Sequence, residues 1–260
     1  MFFSFFVALF LETDIVYAFM IENFTGIVLR MLKYNDNLMI ADIFTSTRGR
    51  LSFLVPVTHS KRSKVRSVLF QPLTILQFQA PYKQGGKLCR LSEVRPHIMY
   101  SSIPYDPCKS AVALYLAEFL TRALREESDN AAIFSFIEYS LRWFDEAADG
   151  YANFHLLFLM RLTRFLGIAP NVEDMGRSGY FDLRAGCFVG LQPMHGDFLT
   201  SEQALDFFSL YACDYDDMHR IALNRAVRSN FLTTIGDYYR LHIPEFPELN
   251  CTEVLRELFD

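Results

Sequence analysis

The first third of the chain has the pattern of short β-strands separated by polar turns. Apolar and β-branched residues fill 24–33, 38–45 and 50–57, and the polar runs between them are four residues long. Two more strands are predicted at 73–82 and 88–97. Connections this short favour antiparallel hairpins. Five strands in about eighty residues predict a small closed barrel, because closure removes the edges that an open sheet exposes.

After Pro104 and Pro107, the hydrophobic period changes to that of amphipathic helices. The segments with this period are 108–127, 131–147, 153–166, a short helix that begins at Thr200, 216–235 and 252–259. Residues 153–166 are apolar almost all round, which predicts the central helix of a bundle. An irregular insert at 171–198, with a hairpin within 180–190, follows this helix. The predicted fold is α+β: a five-stranded β-barrel at 20–100 and an α-helical bundle domain at 101–260.

Residues 1–19 are strongly apolar. The run is too short to cross a bilayer, which takes about 20 apolar residues, and it lacks the charged start of a signal peptide. We expect Met20 to be the natural start and residues 1–19 to be an upstream extension. The alternative is a membrane anchor or an extra apolar helix, and N-terminal sequencing of the native protein distinguishes the two.

Charge is divided unevenly along the chain. Residues 21–97 carry 12 basic and 4 acidic side chains, whereas residues 98–260 carry 13 basic and 24 acidic ones. The formal net charge of −5 therefore combines a cationic strand-rich part with an anionic helical part. Such asymmetry indicates different partners for the two parts, and the cationic part suits a polyanion.

The candidate nucleic-acid contacts are cations of the barrel. They are Arg48, Arg50, Lys61, Arg62, Lys64 and Arg66. Lysine and arginine neutralise phosphates and release counterions, so they bind nucleic acid without regard to its sequence. Small barrels also stack bases on aromatic rings, for which Tyr34, Phe53 and Tyr82 are candidates. The alternatives are a solvated loop at 61–66 and a place in the barrel core for Phe53.

Three arginines stand out in the anionic helical part: Arg220, Arg225 and Arg228. On the helix predicted at 216–235, Arg220, Asn224 and Arg228 share one face, with Arg225 nearby. Such a face suits an acidic peptide tail or phosphates. The alternative is that these arginines form salt bridges with neighbouring carboxylates of the same chain.

Motifs for familiar catalytic chemistry are missing from the sequence. There is no Gly-x-x-x-x-Gly-Lys-[Ser/Thr] phosphate loop, no Gly-x-Ser-x-Gly nucleophile elbow and no His-Glu-x-x-His. The five cysteines are widely spaced and include no Cys-x-x-Cys, which favours reduced thiols over a disulfide framework or a zinc site. His195 beside Asp197 is a weak acid/base signal. The sequence therefore nominates no catalytic group and suggests no metal site.

Several segments carry a resemblance to a known family, and they occur in that family's order. In the barrel they are 25–29, 33–37, 45–53 and 69–73, and in the helical part they are 115–120, 166–167 and 238–242. They resemble the RecO family of bacterial DNA repair proteins, which are recombination mediators. The resemblance covers roughly residues 20–260 and has the form of the Bacteroidetes branch.

The resemblance implies an OB-fold barrel followed by a helical domain, with no catalytic centre. It also implies binding of single- and double-stranded DNA, annealing of complementary strands and partnership with RecR. Family members help to load the RecA recombinase onto DNA coated by single-strand DNA-binding protein, whose acidic tail docks on the helical domain.

A zinc site is the point at which the chain departs from some members of the family, which hold the metal through four cysteines in the insert. Residues 171–190 here contain only Cys187, so we expect no zinc. We expect apolar packing of Tyr180, Phe181, Leu183 and Phe188 to order the insert instead.

The predicted function is that of a non-enzymatic DNA-binding mediator of recombinational repair, cytoplasmic and associated with the nucleoid. The barrel cations are expected to bind phosphate, and Arg220, Arg225 and Arg228 to bind the acidic tail. Two alternatives stay open. One is an RNA-binding barrel protein, which competition between DNA and RNA strands tests. The other is a scaffold for protein assembly, favoured if no oligonucleotide is retarded even at low salt.

Overall fold

The computed structural model describes residues 21–56, 69–81, 88–124, 131–175, 179–247 and 249. The barrel strands are β1 (Ile21–Lys33), β2 (Leu38–Thr45), β3 (Gly49–Pro56), β4 (Ile75–Pro81), β5 (Cys89–Arg90) and β6 (Ser92–Pro96). The helices that follow are α1 (Pro107–Ala123), α2 (Ala131–Glu146), α3 (Phe154–Phe165), α4 (Ser201–Ala212) and α5 (Arg225–His242). Three short strands lie between α3 and α4: β7 (Tyr180–Asp182), β8 (Cys187–Val189) and β9 (Phe198–Thr200).

The first six strands form a curled sheet in the order β5-β3-β2-β1-β4-β6. Its two outermost strands are consecutive in the chain, because β5 pairs in parallel with β3 while β6 pairs antiparallel with β4. The segment 89–96 thus joins the two ends of the sheet, as the fifth strand of an OB barrel does. The α+β prediction with an N-terminal OB barrel is confirmed. The predicted strand at 88–97 differs in one respect: it is divided at Leu91, where it changes partner strand.

The long strand β1 holds the sheet together by pairing with β4 through its first half and with β2 through its second half. The register between β1 and β2 shifts between Val28 and Arg30, which is the mark of a β-bulge. Gly26 lies where the two pairings overlap, and a Cβ atom there would collide with the side chain of Ile43. Only glycine therefore allows β2 to approach β1 this closely.

The barrel has apolar residues on both sides of its sheet. Phe24, Phe53 and Phe78 meet inside the barrel, with ring centroids 5.1–6.1 Å apart. On the outside, Ile27, Leu29, Phe44, Leu73 and Ile75 belong to the core of the helical bundle. The barrel interior is thus a cluster of its own, whereas the outer face of the barrel is part of the bundle core, which fixes barrel and bundle against each other.

The segment that links barrel to bundle is held by the carboxylate of Asp145, in the last turn of α2. This carboxylate accepts hydrogen bonds from the amides of Ser101, Ser102 and Ile103 at 2.7, 2.8 and 2.9 Å, and from both serine hydroxyls. Burial alone would raise the pKa of Asp145, but these hydrogen bonds outweigh it and hold the pKa below its usual range.

A buried lysine completes the junction between barrel and bundle. Lys109 Nζ donates to the Ser102 hydroxyl at 2.7 Å and to the carbonyls of Asp145 and Ala147 at 3.1 and 2.6 Å. Its ammonium also lies 4.9 Å from the centroid of the Tyr151 ring. All three ammonium hydrogens can thus be used inside the protein, as a buried cation requires.

The bundle is built around α3, as its apolar pattern predicts. Nine of its residues are buried: Phe154, His155, Leu156, Leu157, Phe158, Leu159, Met160, Leu162 and Thr163. The short helix predicted at Thr200 is confirmed as α4, which begins with a Thr200–Gln203 capping box, and the left-handed Gly167 follows the end of α3. The prediction that α1 extends to residue 127 was wrong, because the backbone turns extended at the buried Leu124. The helix predicted at 252–259 lies outside the described residues.

Aromatic packing orders the insert. The hairpin of β7 and β8 is confirmed, and Phe181, Leu183 and Phe188 are buried as expected. The Phe181 ring lies 4.6 Å from that of Phe208 in α4. Tyr180 is only half-buried and contacts Phe198 edge-on, with ring centroids 5.6 Å apart.

Candidate nucleic-acid interface

A row of polar side chains crosses the outer face of the barrel on β1, β2 and β3. Strand pairing places Arg30 opposite Asp42, and Asp42 opposite Ser52. Asp42 Oδ2 accepts from Arg30 Nε at 2.6 Å and from the Arg50 guanidinium at 2.9 Å, while the Ser52 hydroxyl donates to Oδ1. Burial alone would raise the pKa of Asp42, but these hydrogen bonds outweigh it and lower the pKa below its usual range.

Arg50, one of the predicted phosphate contacts, is engaged inside the protein. Its side chain is only 14% exposed, and it donates both to Asp42 and, at 2.7 Å, to the carbonyl oxygen of Thr121 near the end of α1. This arrangement ties the barrel to the bundle. A phosphate contact by Arg50 stays a prediction, but in the structure its guanidinium donates hydrogen bonds within the protein.

Arg48 lies in the tight turn between β2 and β3, where its amide donates to the Thr45 hydroxyl. Its side chain is 46% exposed and forms an ion pair with Glu22 at 3.4 Å. An exposed pair at that distance contributes little free energy. Arg48 therefore retains the solvent access that a phosphate contact requires, and its role in binding stays a prediction.

The other four predicted contacts, Lys61, Arg62, Lys64 and Arg66, lie outside the described residues. They belong to the connection between β3 and β4. The connection between β4 and β5 also contains two cations, Lys83 and Lys87, and neither 57–68 nor 82–87 contains an acidic residue. Half of the 12 cations of the barrel are therefore in these two connections, whereas all 4 acids are in the described part.

The aromatic candidates for base stacking separate into different environments. Phe53 is buried in the barrel core, so its core interpretation is confirmed. Tyr34 is 58% exposed in the connection between β1 and β2. Tyr82 lies outside the described residues. In OB folds, the face of strands 2 and 3 and the loops that flank it bind oligonucleotides, and Tyr34 lies in one of those loops.

The three arginines of the helical part do not share one helix, so the prediction of a single helix at 216–235 was wrong. Asn224 is the N-cap of α5 and accepts from the Val227 amide, so this helix begins only at Arg225. Arg220 belongs to a separate 3-10 turn, Met218–Arg220, and pairs with Asp217 at 3.0 Å. The predicted face containing Arg220, Asn224 and Arg228 therefore does not exist.

These arginines also differ in their access to solvent. Arg220 and Arg225 are exposed, whereas Arg228 is half-buried and donates to the Leu223 carbonyl. Burial lowers the pKa of Arg228. The ion-pair alternative is observed for Arg220, and binding of an acidic tail by the three residues stays a prediction.

The expectation that the insert binds no zinc stays a prediction. Within the described ranges, no group of three or more His, Cys, Asp or Glu side chains is placed to hold a metal ion. Cys187 lies on β8, and His195 lies 3.3 Å from Asp182, a geometry that an ion pair explains.

In the part of the chain that the structure covers, no helix is long and apolar enough to cross a membrane.

Sequence reasoning missed two features of this surface. One is the network that joins Arg30, Asp42 and Arg50. Asp42 is the single charged residue of β2, but counting outward from the predicted turn at 34–37 pairs Arg30 with Ala41, one position away from the observed register. The other is Arg122, which is exposed at the end of α1 beside the barrel. No sequence pattern indicates that neighbourhood.

Comparison with known proteins covers almost the whole chain. The family model described as "Recombination protein O N terminal" matches residues 20–100, and "Recombination protein O C terminal" matches residues 104–249. A protein of Phocaeicola vulgatus named DNA repair protein RecO is 46% identical over 92% of this chain and all of its own length. Proteins of the same name are 45% identical in Bacteroides fragilis, over 93% of this chain and all of the relative, and 35% identical in Porphyromonas gingivalis, over 90% and 98%.

Proposed function

Because this chain belongs to the RecO family of DNA repair proteins, we propose that it is a non-enzymatic DNA-binding mediator of recombination. In this role it binds single- and double-stranded DNA, anneals complementary strands and, with RecR, helps RecA to load onto DNA coated by single-strand DNA-binding protein. The barrel is the DNA-binding part, and the helical bundle is the part that binds proteins.

The observation that carries DNA binding is an OB barrel whose positive charge is concentrated in the connections between its strands. The segments 57–68 and 82–87 together contain six cations and no acid. Each cation that neutralises a phosphate releases counterions, so binding by these segments is independent of sequence and sensitive to salt. The described strands contribute Arg48 and the exposed Tyr34 at the same barrel.

The test is a salt titration of affinity for a single-stranded oligonucleotide. Replacing Lys61, Arg62, Lys64 and Arg66 by Ala should weaken binding for every sequence. It should also reduce the slope of log K against log salt by up to about 0.7 for each lost contact. The matched control replaces Arg142, Arg164, Arg184 and Arg240 by Ala, which removes the same charge from the bundle. An unchanged slope in the barrel variant, or an equal change in the control, would refute the role of the segment.

The partner of the bundle is proposed to be the acidic tail of single-strand DNA-binding protein, with Arg220, Arg225 and Arg228 contributing positive charge. Charge-assisted hydrogen bonds from arginine to carboxylates support such recognition. Fluorescence anisotropy with a labelled tail peptide should show weaker binding for Arg220→Ala and Arg225→Ala. Undiminished binding in both variants would remove these residues from the site.

Two other outcomes would change the functional conclusion. RNA that displaces DNA at equal concentration would favour an RNA-binding protein. A purified protein that retards no oligonucleotide at low salt would favour a scaffold for protein assembly.

A further inference from the structure

A cleft of about 430 Å³ lies between the barrel and α1. One of its walls comes from β1 and from the segment just before β4, and includes Arg30, Met31 and Phe70. The other wall is α1, which contributes Leu114, Glu118 and Arg122. Leu114 is 45% exposed although it is apolar. The cleft therefore combines an accessible apolar surface with two guanidinium groups.

Arg122 differs from the arginines elsewhere in the bundle. Arg142, Arg161, Arg184 and Arg240 each form an ion pair with a carboxylate of the chain. Arg122 is exposed and has no hydrogen-bond or ion-pair partner among the residues that the structure describes. Its place in the last turn of α1 compensates the helix dipole, but that effect uses none of its hydrogen-bond donors.

The cleft adjoins the polar row on the outer face of the barrel. Arg30 is the end of the polar row on β1, β2 and β3, and it is 37% exposed. Phe70, which lines the cleft, comes four residues after the segment 61–66 in the sequence. Glu118 is the one carboxylate that lines it within the described residues. Two guanidinium groups against one carboxylate favour an anionic ligand. Because Arg30 belongs to the barrel, the part proposed to bind DNA, a nucleic-acid strand is favoured over an acidic peptide.

We propose that a single strand of nucleic acid passes from the barrel face into this cleft, where Arg30 and Arg122 contact its phosphates from opposite walls and its bases lie against Leu114. The proposal rests on DNA binding by the barrel. It extends the binding site across the junction onto the bundle, whose overall charge is negative. Arginine suits this position because its planar group can donate two hydrogen bonds to one phosphate.

The experiment compares Arg122→Gln with Arg240→Gln, which removes the same charge from α5, a helix that does not line the cleft. Affinities are measured for a strand of about 20 nucleotides and for one of about 6, the smaller being within the site size of one OB fold. For the long strand, Arg122→Gln should lower affinity at low salt by about three- to tenfold and reduce the salt slope by about 0.7. Its effect on the short strand should be smaller, and Arg240→Gln should change neither.

The other possible results overturn the proposal, and they distinguish a failure of the cleft from a failure of the proposed function. If the wild-type protein binds no strand, the proposed function fails, and the cleft proposal fails with it. If the wild-type protein binds and Arg122→Gln binds the long strand equally well, the cleft proposal alone fails. If Arg122→Gln affects only an acidic peptide, the cleft is a peptide site. Arg122→Glu repeats the test with a larger expected loss, and circular dichroism verifies that each variant is folded.

Discussion

Replacing Asp145 by Ala should be among the most destabilising single changes at the junction of barrel and bundle. The substitution removes the acceptor of three backbone amides and two hydroxyls in the linking segment. It also removes a negative charge near the buried ammonium of Lys109. Ile103 is 4% exposed, so water cannot easily replace the lost acceptor there.

The magnitude follows from the unsatisfied groups. A buried donor left without an acceptor costs about 1–3 kcal/mol. Ser101 is exposed and regains water, so the Ile103 and Ser102 amides dominate, together with the lysine. We expect the free energy of unfolding to fall by about 3–5 kcal/mol in Asp145→Ala. Asp145→Asn keeps one acceptor oxygen and should lose less.

The measurement is urea unfolding at pH 7, with Glu146→Ala as control, because Glu146 is the exposed neighbour in the same helical turn. Since the pKa of Asp145 is lower in the folded protein, its ionised form stabilises the fold above about pH 4, and this contribution is lost as the pH falls further. The difference between wild type and variant should therefore shrink in acid. A loss below about 1 kcal/mol at pH 7, or an equal loss in Glu146→Ala, would refute the reasoning.

Three further predictions concern buried groups. Burial lowers the pKa of His155 to about 3, so as the pH falls the unfolded chain binds a proton at this residue before the folded protein does. The free energy of unfolding should therefore fall by up to about 1.4 kcal/mol per pH unit below pH 6.5. Unfolding of His155→Leu, measured from pH 7.5 to 5, should lack this slope. Arg50→Met should cost about 2–3 kcal/mol and Arg48→Met under about 1 in urea unfolding, since only Arg50 joins a buried carboxylate to α1; the reverse order would contradict the assignment of Arg50. Phe181→Ala should cost about 3–5 kcal/mol, whereas EDTA should leave the Tm unchanged within about 1 °C, and a lower Tm with EDTA would reveal a structural metal.

The elements that sequence reasoning predicted well are those whose signals are local. The strand β2 has the predicted bounds, because short polar turns limit it on both sides. The capping box at Thr200 is likewise contained within four residues. The prediction of one helix at 216–235 was wrong because its only signal was hydrophobic spacing, which continues through the 3-10 turn. The N-cap role of Asn224, which starts a new helix, competes with that pattern.

The site was less predictable than the fold, because its chemistry depends on distant residues. Arg48 and Arg50 are two positions apart and look alike in sequence. Arg50 is engaged by the carbonyl of Thr121, 71 residues later in the chain, whereas Arg48 stays accessible. Likewise, nothing near Arg122 in the sequence indicates that β1 lies beside it.

The division of the last barrel strand has a consequence for how the protein folds. Pairing of Cys89 with Phe53 connects residues far apart in sequence, so the barrel can close only after β4 and both of its connections have been synthesised. Until then β3 has an unpaired edge, a state prone to association with other chains. Closing such long loops costs entropy before any contact is gained, so we expect barrel closure to be the slow step of folding. We expect a chaperone to bind the unpaired edge of β3 before residue 89 leaves the ribosome.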